Sequence, residues 1–502
     1  MSQVASLDNK AADPIGTGII STARQSWLDL FHWHHRVTTV LDGEKTKCEW
    51  VAPEPLQNPI TLFRKLSARD WLFFIVGFLA WTADAFDFHA LSIQTTKLAR
   101  YYQTSNTVIT STITLTLLLR SLGAAIFGIA GDKIGRKWPM VLNMILLGLL
   151  QIATIYCKTL GQLLGVRSLF GLFMGGIYGN ATAMALENCP TAARGLMSGI
   201  LQQGYSFGYV LAACTNLGVG GAPESFKKVF WIGAGFCVAV GLIRILFPES
   251  KQFLVAKAAG RRSLSLKEFW RQTRHLMATE YKICLYCILL MTWFNFYSHS
   301  SQDSYTTFME KSKGLSNSAA SRASIWMKVG ACVGGTIMGY ISQFFGRRRT
   351  MIVAALVSTL MIPGWILPHS EGVLSFTGFL MQFFVQGAWG VIPIYLNELA
   401  PASYRSTFSG ITYQVGNMIS SPSTQIVNAL AEHFSVHDTG GANVPAYGSV
   451  MGVATAFIAL GIAGTLALGP ERMGRSFEED DSLLTTATGD KKATSSSEPD
   501  VV

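Results

Sequence analysis

Apolar segments of about twenty residues recur along most of this chain, and they constrain its fold more than any other feature. A helix of that length crosses the roughly 30 Å hydrocarbon core of a bilayer. Only 14% of the 502 residues are charged, against about 25% in soluble proteins. The sequence therefore predicts an all-α integral membrane protein with twelve transmembrane helices, over residues 71–95, 106–130, 138–157, 160–185, 193–217, 227–247, 281–308, 321–344, 350–368, 373–397, 404–430 and 447–468.

Basic residues cluster in short loops between these segments, as in Arg347-Arg348-Arg349 and around Arg136. Such clusters indicate membrane orientation and place both termini in the cytoplasm. The net charge of +10 is thus an orientation signal, and no nucleic-acid partner is predicted. The expected organisation is a cytoplasmic tail at 1–69, a six-helix half at 70–247, a cytoplasmic loop at 248–280, a second half at 281–468 and a disordered tail at 469–502.

An internal repeat at a spacing of 211 residues relates the two halves. It superimposes Glu187 on Glu398, Arg194 on Arg405 and Gln203 on Gln414. The same shift carries Arg136 onto Arg347 and Asp84 onto Asn295. Transporters built from two related halves bind substrate between them, near the middle of the membrane. We therefore predict two pseudo-symmetric six-helix halves with a central site.

The most polar stretch inside an apolar segment runs from Asn295 to Thr307. On a helix, Asn295, His299 and Gln302 share one face, and Asp303 lies four residues beyond His299, within hydrogen-bonding reach. Polar and ionisable groups are costly in a membrane and usually face a water-filled interior. We interpret the stretch as part of a central site, the alternative being an exposed helix end.

Several motifs match a known family. Residues 128–137, Gly-Ile-Ala-Gly-Asp-Lys-Ile-Gly-Arg-Lys, resemble the loop signature of the major facilitator superfamily, and residues 339–349 resemble its second copy. Residues 295–307 are similar to the signature Asn-x-x-Ser-His-x-Ser-Gln-Asp-x-x-x-Thr of fungal Jen-type carboxylate–proton symporters. The resemblance implies a plasma-membrane importer of short carboxylates and protons. The substrates expected are lactate, pyruvate, acetate or C4 dicarboxylates such as succinate and malate, and the sequence does not rank these.

A carboxylate needs a cation or hydrogen-bond donors in the cavity. Arg120 lies in the middle of the second span, and its planar guanidinium group suits bidentate binding of a carboxylate; the alternative is a structural ion pair with Asp84 or Asp87. Lys328, in the eighth span, is either a second cavity cation or a side chain that reaches the interface. The amides predicted to complete the substrate site are those of Asn295, Gln302, Gln203, Gln414 and Asn417, with Gln202 pointing elsewhere.

Proton coupling needs groups that titrate near neutral pH. His299 is the natural candidate, with an ordinary pKa of about 6.5, and Asp303, Asp84 and Asp87 are the acidic candidates. Charged residues at the cytoplasmic helix ends are expected to form gate ion pairs that hold the outward-open state: Asp132, Arg136, Glu187, Arg194, Glu398 and Arg405.

Two other functions stay open on the sequence alone. The ends of the two halves also resemble sugar porters, which suggests a sugar or polyol facilitator, although a buried arginine with a His–Asp pair argues against it. A nutrient sensor that binds carboxylate and signals through its tails is the other. No nucleophile–base arrangement or metal cluster is apparent in the sequence, so neither enzymatic activity nor a cofactor other than the coupling proton is predicted. The Ser, Thr and Lys residues of the cytoplasmic tails are candidate sites for ubiquitin and the trafficking machinery. The alternative is a plain solvated tail.

Overall fold

A computed structural model of the chain describes residues 19–32, 35–41, 45–53, 55–220, 222–249, 254, 266–401, 404–437 and 443–473. Within these ranges it consists mainly of twelve helical rods, which confirms the predicted all-α architecture. Their bounds are α1 Ala68–Ile93, α2 Asn106–Ile134, α3 Lys137–Ile155, α4a Leu160–Met174 and α4b Ile177–Glu187, α5a Arg194–Gln202 and α5b Gly204–Gly218, α6 Phe226–Leu246, α7 Leu266–Gln302, α8 Asn317–Phe345, α9 Arg347–Ile366, α10 Glu371–Leu399, α11a Arg405–Ser420 and α11b Ser423–His433, and α12 Tyr447–Leu468.

Shorter elements connect or precede the rods. They are the helices Ile19–Asp29, Pro59–Lys65, Thr95–Tyr101 and Tyr305–Lys311, the 3₁₀ turns Thr191–Ala193 and Pro223–Ser225, and the antiparallel strand pairs His35–Leu41 with Lys45–Val51 and Ser435–His437 with Asn443–Pro445. The tail predicted beyond residue 473 and residues 255–265 of the central loop lie outside the described residues.

Local sequence explains where the rods begin and turn. Ser67 caps α1 in a capping box with Asp70, which satisfies backbone N–H groups that the first turn leaves unpaired. Gly135 has φ 101° between α2 and α3, and Gly346 has φ 92° between α8 and α9. Only glycine adopts such values readily. These two glycines are 211 residues apart, so the repeat fixes the same tight connection in each half.

Eight rods are long and apolar enough, by length and composition alone, to cross a membrane: α1, α2, α3, α4, α6, α9, α10 and α12. The other four, α5, α7, α8 and α11, carry polar side chains such as Gln202, His299, Lys328 and Asn417 in their buried stretches. Membrane helices tolerate such groups where they face a protein interior rather than lipid. The less apolar rods therefore carry part of the polar interior of the bundle.

The same close helix contact occurs in both halves. A Cβ atom added at Gly123 in α2 would lie 1.7 Å from the carbonyl oxygen of Leu172 in α4a, and one added at Gly334 in α8 would lie 1.9 Å from that of Phe383 in α10. Both members of each contact differ by 211 residues. Small residues let membrane helices pack with their backbones in contact, and the repeat reproduces this packing.

The two halves meet closely at one end of the bundle. A Cβ at Gly195 in α5a would lie 2.6 Å from the carbonyl oxygen of Gly339 in α8, and one at Gly199 would lie 2.5 Å from that of Gly335. We call this the arginine end, because Arg136 and Arg347 lie there. The end at which α7 finishes, near Asp303, is the opposite end. Backbone contact between the halves leaves no passage beside α5a and α8 at the arginine end.

Substitution of Gly123 by alanine should destabilise the protein. The added methyl group would overlap a backbone carbonyl, which no side-chain rotation relieves, so we expect an apparent melting temperature lower by about 5 °C or more in detergent. Gly165→Ala is the matched control, since a Cβ there meets nothing within 4 Å. Equal thermal shifts for the two variants would contradict this account of the α2–α4a contact.

Candidate functional site

A small cavity lies between the two halves. Its walls combine one cation, several amides and hydroxyls, one imidazole and several aromatic rings. The lining residues are Phe88, Leu117, Arg120, Gln202 and Tyr205 from the first half and Asn295, Ser298, His299, Gln386, Trp389, Tyr413 and Asn417 from the second. Ligand pockets usually combine an apolar lining with a few convergent polar groups, and this lining has both.

Arg120 supplies the guanidinium group of the cavity. Its side chain is 2% exposed, and its Nη2 lies 3.5 Å from Oδ2 of Asp84 in α1. The guanidinium carbon lies 5.2 Å from the ring centre of Phe88. Its Nε is buried without an acceptor among the described residues. Arg120 thus has Asp84 as an ion-pair partner and an Nε–H donor that no described residue accepts. The substrate role and the Asp84 ion pair, given as alternatives from the sequence, are therefore compatible.

His299 forms the predicted pair with Asp303. Its Nδ1 lies 2.8 Å from Oδ2 of Asp303, and its Nε2 lies 3.5 Å from Oδ1 of Asn417 in α11a. The Thr424 hydroxyl donates to the same Asp303 oxygen at 2.7 Å. The imidazole is 12% exposed and the Asp303 side chain 38% exposed. The pair therefore extends from the cavity wall towards water at the opposite end.

Gln302 and Lys328 lie behind the lining rather than in it. Lys328 donates a hydrogen bond to Oε1 of Gln302, and Nε2 of Gln302 donates to the Ser298 hydroxyl at 2.6 Å. Gln386 in α10 also donates to this hydroxyl, at 3.3 Å. One of the two sequence interpretations had Lys328 reach the membrane interface. Its side chain is only 3% exposed, so it does not. Ser298, which the sequence analysis placed in the signature without a role, and Gln386, which it missed, form the lining here.

The structure places the amides predicted for the substrate site differently from one another. Gln202 lines the cavity, whereas Gln203 approaches Gly335 and the Ser206 hydroxyl at the interface of the halves. The expectation that Gln202 points elsewhere was wrong, because α5 breaks at Gln203 and the break redirects both side chains. Gln414 accepts a hydrogen bond from Asn417 at 3.3 Å and supports that lining residue. Asn295 lines the cavity and donates to the Met291 carbonyl at 2.8 Å.

The two acidic residues of α1 have separate surroundings. Asp84 pairs with Arg120 beside the cavity. Asp87 accepts hydrogen bonds from Gln151 at 2.8 Å and from Cys237 at 3.0 Å. Those partners belong to α3 and α6, within the first half. Of the two, only Asp84 therefore borders the cavity through a lining residue, and Asp87 lies between packed helices.

The six residues predicted as gate ion pairs gather at the arginine end. Arg136 pairs with Glu187, and Arg347 pairs with Glu398 at 3.1 Å, the same pair displaced by 211 residues. Arg405 lies 3.9 Å from Glu187, on the other half. Asp132 accepts from the backbone of Thr407 at 2.8 Å and of Ser406 at 3.2 Å. Arg194 donates to the Cys189 carbonyl and interacts electrostatically with Glu398.

These contacts show where the halves are joined. Asp132 and Glu187 belong to the first half, and Arg405, Ser406 and Thr407 belong to the second. All are buried, and breaking one partner of a buried charge pair is strongly destabilising. The arginine end is therefore held closed by charge-assisted hydrogen bonds, in a structure whose cavity borders Asp303 at the opposite end.

The sequence model of the Major Facilitator Superfamily matches residues 71–424. The chain belongs to this superfamily. The proton:xylose symporter XylE has the same fold, with a TM-score of 0.63 at 14% identity over 83% of this chain and 99% of that structure. The two-half superfamily fold predicted from the motifs and the repeat is thereby confirmed.

Two curated relatives are similar to this chain over most of its length. A carboxylic acid transporter protein homolog of Saccharomyces cerevisiae is 32% identical over 437 residues, which are 83% of this chain and 71% of that protein. A probable 4-methylmuconolactone transporter of Cupriavidus pinatubonensis is 26% identical over 408 residues, 79% of this chain and 90% of that protein. Family and relatives are transporters, in agreement with the prediction that the chain is not an enzyme.

Sequence reasoning also missed the aromatic walls of this superfamily member's cavity. Tyr413 and Trp389 line the cavity with their ring centres 5.9 Å apart. Behind them, Tyr178 stacks on Tyr413 at 4.0 Å and Trp81 lies 5.9 Å from it. Aromatic residues are frequent throughout membrane helices, so their identity alone gave no signal. The useful signal was their position one or two turns from polar residues such as Gln202 and Asn417.

Proposed function

We propose that this protein imports short carboxylates together with protons across the plasma membrane, by alternating access of its two halves, with both termini in the cytoplasm. The observation that carries the proposal is the position of Arg120 and His299 in one cavity between the halves. The carboxylic acid transporter homolog in yeast supports the substrate class.

The cavity suits a small anion. A guanidinium group in a low-dielectric site binds carboxylate through charge-assisted hydrogen bonds, and Arg120 is the cation of the lining. Amides and hydroxyls of Asn295, Ser298 and Asn417 offer neutral hydrogen bonds across from it. Phe88 and Leu117 add an apolar part to the lining, which suits the carbon chain of a short carboxylate.

Coupling to protons is assigned to the His299–Asp303 pair. The imidazole lines the cavity and contacts Asp303, which is exposed towards the opposite end. A proton arriving from that side would complete an ion pair within 2.8 Å and add positive charge beside the substrate. Asp84 is the second candidate, because its charge competes with the substrate for Arg120.

Orientation follows from the basic loops. The arginine end is predicted to face the cytoplasm, because Arg347, Arg348 and Arg349 lie there. The opposite end, with Asp303, then faces the outside, and the closed arginine end corresponds to a state before release into the cell. The ion pairs at that end act as the gate.

Uptake measurements in a transporter-deficient yeast test the proposal. We expect labelled lactate or succinate to accumulate faster at pH 5 than at pH 7.5 and a protonophore to abolish the accumulation. Competition by glucose without competition by carboxylates would instead indicate a sugar facilitator. Binding without flux in proteoliposomes would indicate a sensor. Either result would overturn the proposal.

A further inference from the structure

Lys328 is a buried cation that no carboxylate of the described residues contacts directly, and the charge that interacts with it, on Asp303, is farther away. Its side chain is 3% exposed in the middle of α8, and its ammonium group donates to Gln302. It also lies 4.7 Å from the ring centre of Tyr209, in α5b of the other half. A buried ammonium group that no carboxylate contacts directly is costly in a membrane protein. Such a group is a candidate for a role in binding.

Hydrogen-bond chemistry fixes the direction of the contacts that lead from Lys328 to the cavity. An ammonium group only donates, so the Gln302 oxygen must face it. The Gln302 NH₂ group then faces Ser298 and donates to its hydroxyl at 2.6 Å. Gln386 donates to the same oxygen at 3.3 Å. With both lone pairs occupied, the Ser298 hydroxyl has its proton left to donate.

Ser298 lines the cavity, and its hydroxyl donates to no acceptor among the described residues, so its proton is available to an acceptor in the cavity. Its neighbour Ser301 behaves differently, because that hydroxyl donates back to the Tyr297 carbonyl at 2.7 Å. Donors whose chain ends on a cation are polarised and bind oxygen acceptors more strongly. The cavity thus has Arg120 on one wall and a hydroxyl backed by a positive charge on the other.

We propose that Lys328 is a positioning residue that, through Gln302, makes Ser298 the second oxygen-binding point of the cavity. This inference rests on the proposed function and specifies its substrate class. The substrates would be carboxylates with a second oxygen-containing group near the carboxylate, namely 2-hydroxy and 2-oxo acids or dicarboxylates. Tyr209 holds the ammonium group in place by a cation–π contact. Lys328 itself does not touch the substrate.

Lactate and propionate have the same carbon number and differ in the 2-hydroxyl group, so their competition against labelled lactate tests the proposal. The Ser298 hydroxyl, polarised by Lys328, would form one additional hydrogen bond with lactate. We therefore expect wild type to bind lactate about tenfold more tightly than propionate. Lys328→Met and Ser298→Ala should each reduce this ratio to near one, and the double variant should lose no more than either single variant. Tyr209→Phe should keep the ratio, and Tyr209→Leu should lower it.

Lys158→Met, at an exposed lysine of the opposite end, is the matched control and should keep the wild-type ratio. Surface expression of each variant is measured alongside. A lower uptake with an unchanged lactate-to-propionate ratio in Lys328→Met would show a merely structural lysine and overturn the inference. Additive effects of the two substitutions would also overturn it. Absence of transport of any carboxylate by wild type would overturn the proposed function instead.

Discussion

Replacement of Arg120 by lysine should lower the apparent affinity for carboxylate by about 10- to 100-fold, the effect of losing one or two hydrogen bonds to a charged group. Lysine keeps the charge but not the planar fork that can serve Asp84 and a substrate at once. Arg120→Met should abolish measurable uptake, since it also leaves Asp84 buried without its partner. Initial rates of labelled lactate uptake over a range of concentrations give the change in KM.

Two further variants separate substrate binding from folding in this prediction. Arg244→Lys replaces another buried arginine, which lies in α6 and donates to the Pro248 carbonyl at 3.0 Å, so uptake per molecule at the surface should stay near wild type. Asp84→Asn removes the partner of Arg120 while keeping its shape, and it should leave the guanidinium group free for substrate. An unchanged KM in Arg120→Lys would show that Arg120 serves only the ion pair.

The symmetric features of the fold could be predicted because matching residues recur in the sequence at a constant spacing. A shift of 211 residues relates Arg136 to Arg347 and Glu187 to Glu398, and the structure contains both ion pairs. The lengths of the apolar segments predicted the helical rods. Gly135 and Gly346 have the same role because each lies in the connection before a rod, at equivalent positions of the repeat. Relations of this kind depend on spacing along one chain.

The details of the cavity could not be predicted, because they depend on rotation about each helix axis. Adjacent residues in a helix point about 100° apart, so the choice between Gln202 and Gln203 depended on the break in α5 between its two parts. The position of Gln302 behind Ser298 depends on the contact with Lys328, which comes from another helix. Sequence periodicity identifies a face of one helix and not which helix it meets.

Replacement of His299 by alanine should abolish the stimulation of uptake by acid. In wild type, uptake should fall as the pH rises through the titration range of the imidazole, whose ordinary pKa is about 6.5, because the protonated ring completes the pair with Asp303. Without the ring, Asp303 keeps only the Thr424 hydroxyl among its described partners at this oxygen. We expect the ratio of uptake at pH 5 to uptake at pH 7.5 to approach one, with accumulation against a gradient lost.

Exchange measurements distinguish a coupling group from a binding group at this position. If His299 carries the proton, His299→Ala should still exchange labelled for unlabelled lactate across proteoliposomes at equal pH, since exchange needs no net proton movement. Asp303→Asn should behave similarly, because it leaves the imidazole without a charged partner. His369→Ala, at an exposed histidine of the same end, should keep the full pH response. An intact pH response in His299→Ala would move the coupling role to Asp84, whose carboxylate shares Arg120 with the substrate.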